Sequence, residues 1–506
     1  MTTRSPGIGD RLRRADPLTG LACATALVVY LLHGFDGLLS RDVSVYGYGG
    51  QQVAEGVPPY VAIVNRAGPL AHLVPGIGAA TARAVGVDDL LGMRVLFMLI
   101  SVACIGLAYL LGRDLFGSRL AGLAAAAALL CFEGFTRYAT YGPREKTTMA
   151  LFLLAALLAV VHRRWFATGV FIALATLTWQ PVFFAAIGAA LVAVLLGRPT
   201  GRLRALGRVA VGGLVPTLAT VGAYAAIGEL QVFLDDFVLV NARYTEQSSL
   251  SELPAWGWDV LVNGYGSSAW VLVVGIVALP VLGIRRAVRR EDRGGPRTAA
   301  LVGTAAGLLA ALVWSIKDFN GWPDALLLLP FAALGVGGLA GLLAELLPAR
   351  AALTATLAWV LVAAAMSLTY SVGARDHTLA EQRESVDTLR GLLPQGARIM
   401  SVGAPQPLVL AHERNLSRFQ LFDNGLVGYL DDTWPGGKRG YGRWIVDDQR
   451  PTVIAIGHGK VPGWLAADLP VSYDRVGRAP GWAWYVRRDV GTGTVDALRR
   501  ALRAPT

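Results

Sequence analysis

The chain has 506 residues, of which 54% are hydrophobic and only 16% are charged. Soluble domains usually carry about 25% charged residues, so this composition excludes an ordinary soluble protein and indicates a membrane protein. The formal net charge of +11 does not indicate a nucleic-acid partner, because the arginines gather in short loops between apolar segments, as the positive-inside rule expects.

The N-terminal segment, residues 1–17, is rich in arginine and precedes an apolar segment without a clear cleavage site of small residues. We therefore predict a cytoplasmic N-terminus and a first helix that is retained as an anchor. Apolar segments long enough to cross a hydrocarbon core of about 30 Å recur as far as about residue 370. Eleven transmembrane helices are predicted over residues 18–34, 92–112, 119–135, 147–161, 167–179, 182–197, 209–227, 268–284, 298–316, 325–346 and 351–370.

Residues 167–197 are the least regular part of this transmembrane domain, 18–370. The segment is too long for one comfortable span and short for two. A single helix would put the arginine-rich RPTGRLRALGR sequence on the outer side and spoil the charge pattern downstream. Two short helices broken at Gln180-Pro181 fit better, because proline interrupts a helix.

The last segment, residues 371–506, has a different character from the rest. EQRESVDTLRGLL and TVDALRRALR read as helices, whereas ARIMSVG, RFQLFD and TVIAIG read as buried strands. A hairpin is predicted to turn at Ala479-Pro480-Gly481. With eleven crossings this segment lies outside, so we predict a small extracytoplasmic α/β domain.

The cysteines and histidines indicate neither a disulfide framework nor a metal site. Cys23, Cys104 and Cys131 all fall in apolar segments. His412 and His458 are far apart in the C-terminal domain, and two isolated histidines do not make a metal site.

The first outer loop, 35–91, begins with SRDVSVYGYGGQQVAEGVPPY, which is unusually polar for this chain. Asp42 follows the first predicted helix closely, so its carboxylate would lie at the membrane–water boundary and could act as a base toward a sugar hydroxyl. A plainer interpretation is that Asp42 caps the helix that follows, because Asp is a preferred N-cap residue. Taken alone, the residue type favours capping.

The second outer loop, 136–146, has basic residues on the side where the positive-inside rule disfavours them. Arginine and lysine there would suit a phosphate at the membrane surface, since they bind phosphate oxygens and stabilise charge on a leaving group. The alternative is interfacial snorkelling beside a tyrosine belt, which we favour for Tyr138. The charged and aromatic residues of the TRYATYGPREKTT sequence are Arg137, Tyr138, Tyr141, Arg144, Glu145 and Lys146.

The order of these motifs resembles the polytopic glycosyltransferases of the GT-C class. An acid soon after the first helix, then a tyrosine, EGVPPY and AGPL resemble their first outer loop. GRDLFGSRLAGLAAA and WFATGVFIALATLTWQP are similar to their inner-loop and fifth-span patterns. The class includes protein O-mannosyltransferases, lipid A aminoarabinose transferases and mannosyltransferases that use polyprenyl-phosphate-mannose.

The resemblance implies roles for residues of both outer loops. Asp42 is implied to be the general base or to orient the acceptor, and Arg144 and Lys146 to hold the phosphate of a polyprenyl-phosphate sugar donor. Arg137 and Lys317 are further candidates for that phosphate, and Lys317 could equally pair with Asp318. The candidates for substrate or metal contact are Glu145, Glu55, Tyr46 and Tyr141.

Two departures from the family pattern concern the metal and the fifth span. Asp42 is followed by Val43 and Ser44 rather than by a second acid, so dependence on a divalent cation such as Mg or Mn is open. Where family members often carry a basic residue, this chain has Trp179 and Gln180.

The expected reaction is an inverting transfer of a mannose-like or arabinose-like sugar to a hydroxyl of a glycan, lipid or protein. It needs no nucleotide, and the sequence has neither a P-loop nor a dinucleotide fingerprint. Asp235, Asp236 and Arg243 are weaker candidates, for which we favour a solvated helix face. The main alternative is a transporter or flippase, which usually has ionisable groups near the bilayer midplane. A glycan-binding scaffold is a third interpretation.

Overall fold

A computed structural model describes residues 16–197, 201–244, 253–289, 295–423 and 425–502. A large helical domain is followed by a C-terminal domain that contains a four-stranded sheet. The three cysteines are free thiols.

The helical domain contains seventeen α-helices among the described residues, joined by short loops and by π-helical and 3₁₀ turns at Asp235–Leu239 and Trp322–Leu327. The helices are α1 Pro17–His33, α2 Arg41–Ala54, α3 Leu70–Ala84, α4 Asp89–Phe116, α5 Arg119–Cys131, α6 Glu133–Tyr141, α7 Glu145–Val161, α8 Trp165–Thr176, α9 Val182–Leu196, α10 Arg202–Ala226, α11 Leu230–Leu234, α12 Val240–Arg243, α13 Leu253–Tyr265, α14 Ser268–Val288, α15 Pro296–Lys317, α16 Leu329–Leu346 and α17 Ala349–Gly373.

The chain is a multi-pass membrane protein. Within the described ranges, six helices are long and apolar enough to cross a membrane: α4, α10, α14, α15, α16 and the stretch that begins with α17. Helices α5 and α6 meet at 67° and together add a seventh if they are one broken span; α1, α8 and α9 are apolar but shorter. Each of the eleven predicted segments contains a helix, and the break at Gln180-Pro181 is confirmed. Eleven crossings remain a prediction.

Small residues let the long helices approach closely. Helices α14 and α16 cross where Gly275 faces Gly335, and a Cβ atom on Gly335 would lie only 1.9 Å from the Gly275 carbonyl oxygen. Between lipid-exposed helices there is little hydrophobic driving force, so such close contacts supply packing energy instead.

The first outer loop is largely helical, and its polar helix α2 is deeply buried. Every residue from Val43 to Gln52 is buried. Glycines on one face allow contact with α3, since a Cβ atom on Gly49 would lie 1.9 Å from Nδ1 of His72. On the other side, the Gln51 amide donates to the carbonyl of Val409 at 3.1 Å, and the Tyr48 hydroxyl accepts from the backbone N–H of Asn415 at 3.0 Å. The polar residues of α2 therefore join the two domains.

The C-terminal domain is built around strands β1 Ile399–Val402, β2 Val453–Gly457, β3 Tyr473–Ala479 and β4 Trp482–Arg487, in the order β1-β2-β4-β3. Strands β1 and β2 are parallel, and β3 and β4 form the predicted hairpin. Its helices are α18 Thr378–Leu392, α19 Gln406–Ala411, α20 Leu426–Thr433, α21 Gly437–Arg443, α22 Leu469–Ser472 and α23 Thr492–Ala501, with a π-helical turn at Trp444–Gln449 and a 3₁₀ turn at Arg488–Val490.

The prediction of a strand in RFQLFD, residues 418–423, is wrong. The backbone of this segment bonds outside the sheet: the carbonyl of Arg418 accepts from the N–H of Val64 at 2.9 Å, and that of Gln420 accepts from Gly403 at 2.8 Å. The segment is thereby tied to the first outer loop, and its far end reaches the cavity described next.

Candidate active site

A cavity of about 1070 Å³ lies where the two outer loops and the C-terminal domain meet. Its walls come from the start of α2, residues 65–67, the start of α7, the break at 179–181, the end of α15 with the turn after it, and residues 421–423. Candidate residues Asp42, Tyr46, Arg144, Glu145, Lys146 and Lys317 all line this cavity.

Asp42 lies in the first turn of α2 but does not cap it. The cap is Ser40, whose hydroxyl accepts from the N–H of Val43 at 3.4 Å. The Asp42 carboxylate instead lies 2.9 Å from the guanidinium of Arg144 and 3.6 Å from Nε of Arg41. The capping interpretation is therefore wrong for Asp42, and the two outer loops meet at this ion pair.

Arg144, Glu145 and Lys146 begin α7 and are buried, with exposures of 6%, 2% and 4%. Glu145 lies between its two neighbours, 3.2 Å from Nε of Arg144 and 2.7 Å from Nζ of Lys146. Lys146 also contacts Asp324 at 3.1 Å. Both cations thus have two acidic partners.

These contacts form one continuous row of alternating charges along the cavity. Beyond Asp42, Arg41 also pairs with Asp423 of the C-terminal domain. We name as the charge row the residues Asp423, Arg41, Asp42, Arg144, Glu145, Lys146 and Asp324. Both ends of the row are acidic, so it carries one more acid than base.

Aromatic rings hold the two buried cations. The guanidinium of Arg144 lies 5.7 Å from the ring centroid of Tyr46 and 5.5 Å from that of Tyr138, within cation–π range. Nζ of Lys146 lies 4.7 Å from the ring of Trp179. Tyr138 is itself only 6% exposed and stacks on Trp322 at 4.9 Å, so its assignment to an interfacial tyrosine belt is wrong.

The charges of the row favour the ionised form of Asp42. Burial by itself would raise the pKa of this carboxyl, but the positive charges of Arg144, Arg41 and Lys146 outweigh it and hold the pKa below its ordinary value. The side chain is still 45% exposed, toward the cavity. A charged, accessible carboxylate can accept a proton from a bound hydroxyl.

Three candidates from the sequence lie away from the cavity. Arg137 donates to the hydroxyl of Tyr370 at 3.1 Å. The Tyr141 hydroxyl accepts from the backbone N–H of Asp376 at 2.9 Å. Glu55 ends α2 and pairs with Arg414 of the C-terminal domain at 2.7 Å. Their placement is structural, because each is already engaged in holding neighbouring segments together.

Lys317 differs from the other cavity cations because it is exposed, at the end of α15. Among the residues that the structure describes, it forms no ion pair, and Asp318 instead accepts from the side-chain amide of Asn320 at 2.8 Å. The alternative of a Lys317–Asp318 pair is therefore not found.

The prediction of a solvated face for Asp236 is wrong, because the residue is fully buried. It pairs with Arg418 of the C-terminal domain and accepts from the backbone N–H of Asn65 at 3.3 Å. Burial raises the pKa of Asp236 to about 7, against the opposing effect of Arg418. Asp236 thereby links residues 65–67 of the cavity wall to the C-terminal domain.

Arg66 is a cavity residue that the sequence interpretation missed. Its backbone carbonyl is held by the side-chain amides of Gln180 at 2.8 Å and Asn241 at 2.9 Å. Arg41 was missed too, although both are cations in a predicted outer loop, which is the signal that identified Arg144. Asp423 carries no local signal, since only the fold brings it to the cavity.

The cavity does not fit a metal ion held by protein ligands alone. Among the described residues, no group of three His, Cys, Asp or Glu side chains converges in a way that could hold a metal. Asp42, Glu145 and Asp324 are each neutralised by a cation of the charge row. We therefore derive no step through a divalent cation.

Comparison with solved structures identifies the fold. The chain resembles ArnT from Cupriavidus metallidurans in the apo state, with a TM-score of 0.55 and 16% identity over 97% of this chain and 100% of that one. ArnT bound to undecaprenyl phosphate gives a TM-score of 0.55 and 15% identity with the same coverage. Arabinofuranosyltransferase AftD from Mycobacteria gives 0.51 and 15%, over 94% of this chain but 40% of that one.

No protein-family model matches the chain, and no curated protein matches it in sequence. At identities this low the likeness concerns the fold. The GT-C fold expected from the order of the sequence motifs is confirmed.

Proposed function

We propose that the protein is a membrane glycosyltransferase that moves a sugar from a polyprenyl-phosphate donor to an acceptor hydroxyl. The observation that carries the proposal is the position of the Asp42 carboxyl group, which faces a cavity that also holds Arg144, Lys146 and Lys317. One structural neighbour, ArnT, binds undecaprenyl phosphate, which is the kind of leaving group that such a cavity suits. The transporter or flippase alternative gains no support from these neighbours.

The proposed reaction is a single displacement. Asp42 takes the proton of the acceptor hydroxyl, and the hydroxyl oxygen forms a bond to the anomeric carbon. The bond from that carbon to the phosphate oxygen breaks on the opposite face, so the sugar is inverted and the electron pair leaves with the polyprenyl phosphate. Lys317, Arg144 and Lys146 stabilise the negative charge on the departing phosphate.

An apolar part of the cavity wall, formed by Trp179, Trp314 and Phe184, suits the polyprenyl tail. Trp179 and Trp314 meet edge to face there, with ring centroids 4.7 Å apart. Phe184 lies at the start of the apolar helix α9, lines the cavity and is 59% exposed. A donor phosphate in the cavity would therefore have an apolar exit for its lipid.

We further propose eleven membrane crossings with the N-terminus in the cytoplasm and residues 371–506 outside. The charge distribution supports this orientation. Helix α7 begins at the cavity with Glu145 and ends at Val161, and the basic sequence His162, Arg163 and Arg164 follows its far end. Its 17 residues span about 25 Å at 1.5 Å per residue, and the basic end fits the cytoplasmic side.

For the sugar and the acceptor we propose chemical classes and not particular molecules. The neighbours include an arabinofuranosyltransferase, so we propose a pentose such as arabinose as first donor to test and mannose as second. The acceptor is a hydroxyl of a glycan, lipid or protein at the membrane surface.

The test is sugar transfer by membranes that contain the full chain, supplied in turn with polyprenyl-phosphate arabinose and mannose. Release of polyprenyl phosphate should depend on the chain. Asp42→Asn, which keeps the side-chain size but removes the base, should lower the rate by at least about a hundredfold. Glu381→Gln, an exposed change on α18, is the matched control and should transfer at the wild-type rate. Equal rates for Asp42→Asn and wild type would exclude the proposed base.

A further inference from the structure

Arg41 is held much less tightly than the other arginine of the charge row. The side chain of Arg144 is 7% exposed and lies between Asp42 and Glu145, whereas that of Arg41 is 26% exposed. Its partners are also open, with side-chain exposures of 45% for Asp42 and 52% for Asp423. Within the described residues, Nε of Arg41 has no hydrogen-bond partner although that atom is buried.

The surroundings decide which cation can change partner. Removing one member of a buried ion pair leaves an uncompensated charge, which strongly opposes the exchange. An exposed pair contributes little to stability, because water and salt already screen it. Arg41 can therefore leave Asp423 readily, whereas Arg144 keeps its two acids and acts on a bound phosphate through its charge.

The charge balance gives a reason for such an exchange. A phosphate that approached Arg41 while Asp423 still held it would meet the negative charge of Asp423 as well, so the two anions compete for the same guanidinium. Asp423 lies at one end of the charge row, and its side chain, at 52% exposed, is more open than that of Asp42, the other acid that pairs with Arg41. A guanidinium binds phosphate oxygens in the same forked geometry as a carboxylate.

We propose that Arg41 is a phosphate-binding residue and that Asp423 is its internal competitor, supplied by the C-terminal domain. In the empty site Asp423 holds Arg41, and when the donor binds the phosphate takes its place. The inference rests on the proposed function, because the phosphate is that of the polyprenyl donor. It assigns the C-terminal domain a direct effect on donor affinity.

The test measures binding of undecaprenyl phosphate to the purified full chain in lipid nanodiscs by native mass spectrometry. Asp423→Asn should tighten binding by about two- to fivefold, since it removes an exposed competitor. Arg41→Gln should weaken binding by about tenfold, since it removes a charge-assisted contact. In the Arg41→Gln background, Asp423→Asn should have no further effect, because the two residues act through each other.

The matched control is Asp474→Asn, which removes another C-terminal-domain acid that pairs with arginines, Arg488 and Arg499, away from the cavity. The affinity of the Asp474→Asn protein for undecaprenyl phosphate should equal that of the wild type. Weaker or unchanged binding by Asp423→Asn would overturn the inference. A contact that only stabilises the fold would not lower the affinity for phosphate, so its removal would not tighten binding. If folded wild-type protein does not bind undecaprenyl phosphate at all, the proposed function fails instead.

Discussion

At the scale of single residues, the chemistry depends on keeping Asp42 charged beside a membrane. A carboxylate in a partly buried cavity tends to take up a proton, since burial penalises its charge. Here Arg144 lies 2.9 Å away on one side and Arg41 on the other, and their charges outweigh that penalty. Under the proposed mechanism, the base is therefore in its charged form at neutral pH.

This arrangement predicts a shift of the acid limb of the pH–rate profile. Because the pKa of Asp42 is held below its ordinary value, this carboxylate is protonated, and the rate of transfer falls, only when the pH drops through that low value. Arg144→Gln removes a cation that favours the ionised form, so the Asp42 pKa should rise and the acid limb of kcat/KM should move to higher pH. Arg144→Lys keeps the charge and should keep the limb near its wild-type position.

The control for this profile is Arg137→Gln, because Arg137 lies outside the cavity and contacts Tyr370. Its acid limb should match that of the wild type. An acid limb that stays in place in Arg144→Gln would show that another group, not Asp42, takes the proton.

At the scale of elements, helix α2 explains why a polar, glycine-rich segment follows the first apolar helix. Its glycines accept the close approach of α3, and its glutamines and tyrosines bond to the C-terminal domain. An apolar helix could also pack against α3. It would, however, leave the carbonyl of Val409 and the N–H of Asn415 in the C-terminal domain without these hydrogen-bond partners. Helix α2, which carries Arg41 and Asp42, is thus packed between α3 and the C-terminal domain.

Gly49→Ala should therefore lower the thermal stability of the purified protein. The new Cβ atom would lie 1.9 Å from Nδ1 of the buried His72, so α2 and α3 must move apart. Overpacking of this kind costs about 1–3 kcal/mol, and the midpoint of thermal unfolding in detergent should fall by about 1–3 °C for a chain of this length.

Gly207→Ala is the matched control, since Gly207 is an exposed helical glycine of α10 with no atom within 4 Å of the added Cβ. It should leave the midpoint unchanged or raise it slightly, because alanine favours a helix over glycine by about 1 kcal/mol. A Gly49→Ala protein as stable as Gly207→Ala would mean that the α2–α3 contact is looser than described.

At the scale of the whole molecule, the sequence predicted the helices well because their signals are local. The length of an apolar segment, the charges at its ends and the proline at 181 can each be recognised within a sequence window of about twenty residues. The same local signals identified Asp42, Arg144 and Lys146. They failed where a residue's role depends on a distant partner: Asp236 is buried and paired with Arg418, which lies 182 residues further along the chain.

The cavity itself is a property of the fold and not of any one segment. Arg41 and Asp423 are separated by almost the whole transmembrane domain, and residues 418–423 failed as a predicted strand because they bond to the first outer loop. Sequence periodicity describes what a segment buries and does not identify its partner. The full set of residues that form the site could therefore be identified only from the structure. Its location at one end of the helices could be predicted from the sequence.

The proposed orientation predicts which positions a membrane-impermeant thiol reagent reaches in intact cells. In a protein with Cys23→Ala, the remaining Cys104 and Cys131 are buried and should stay unlabelled. Asp474→Cys, in the C-terminal domain, should react in intact cells, because that domain closes the cavity at the outer end of the helices. Arg163→Cys, at the far end of α7, should react only after the membrane is opened. Arg163 is exposed and the side chain of Asp474 is 29% exposed. Labelling of the two positions from the same side would therefore contradict the eleven-crossing arrangement and the outer position of the cavity.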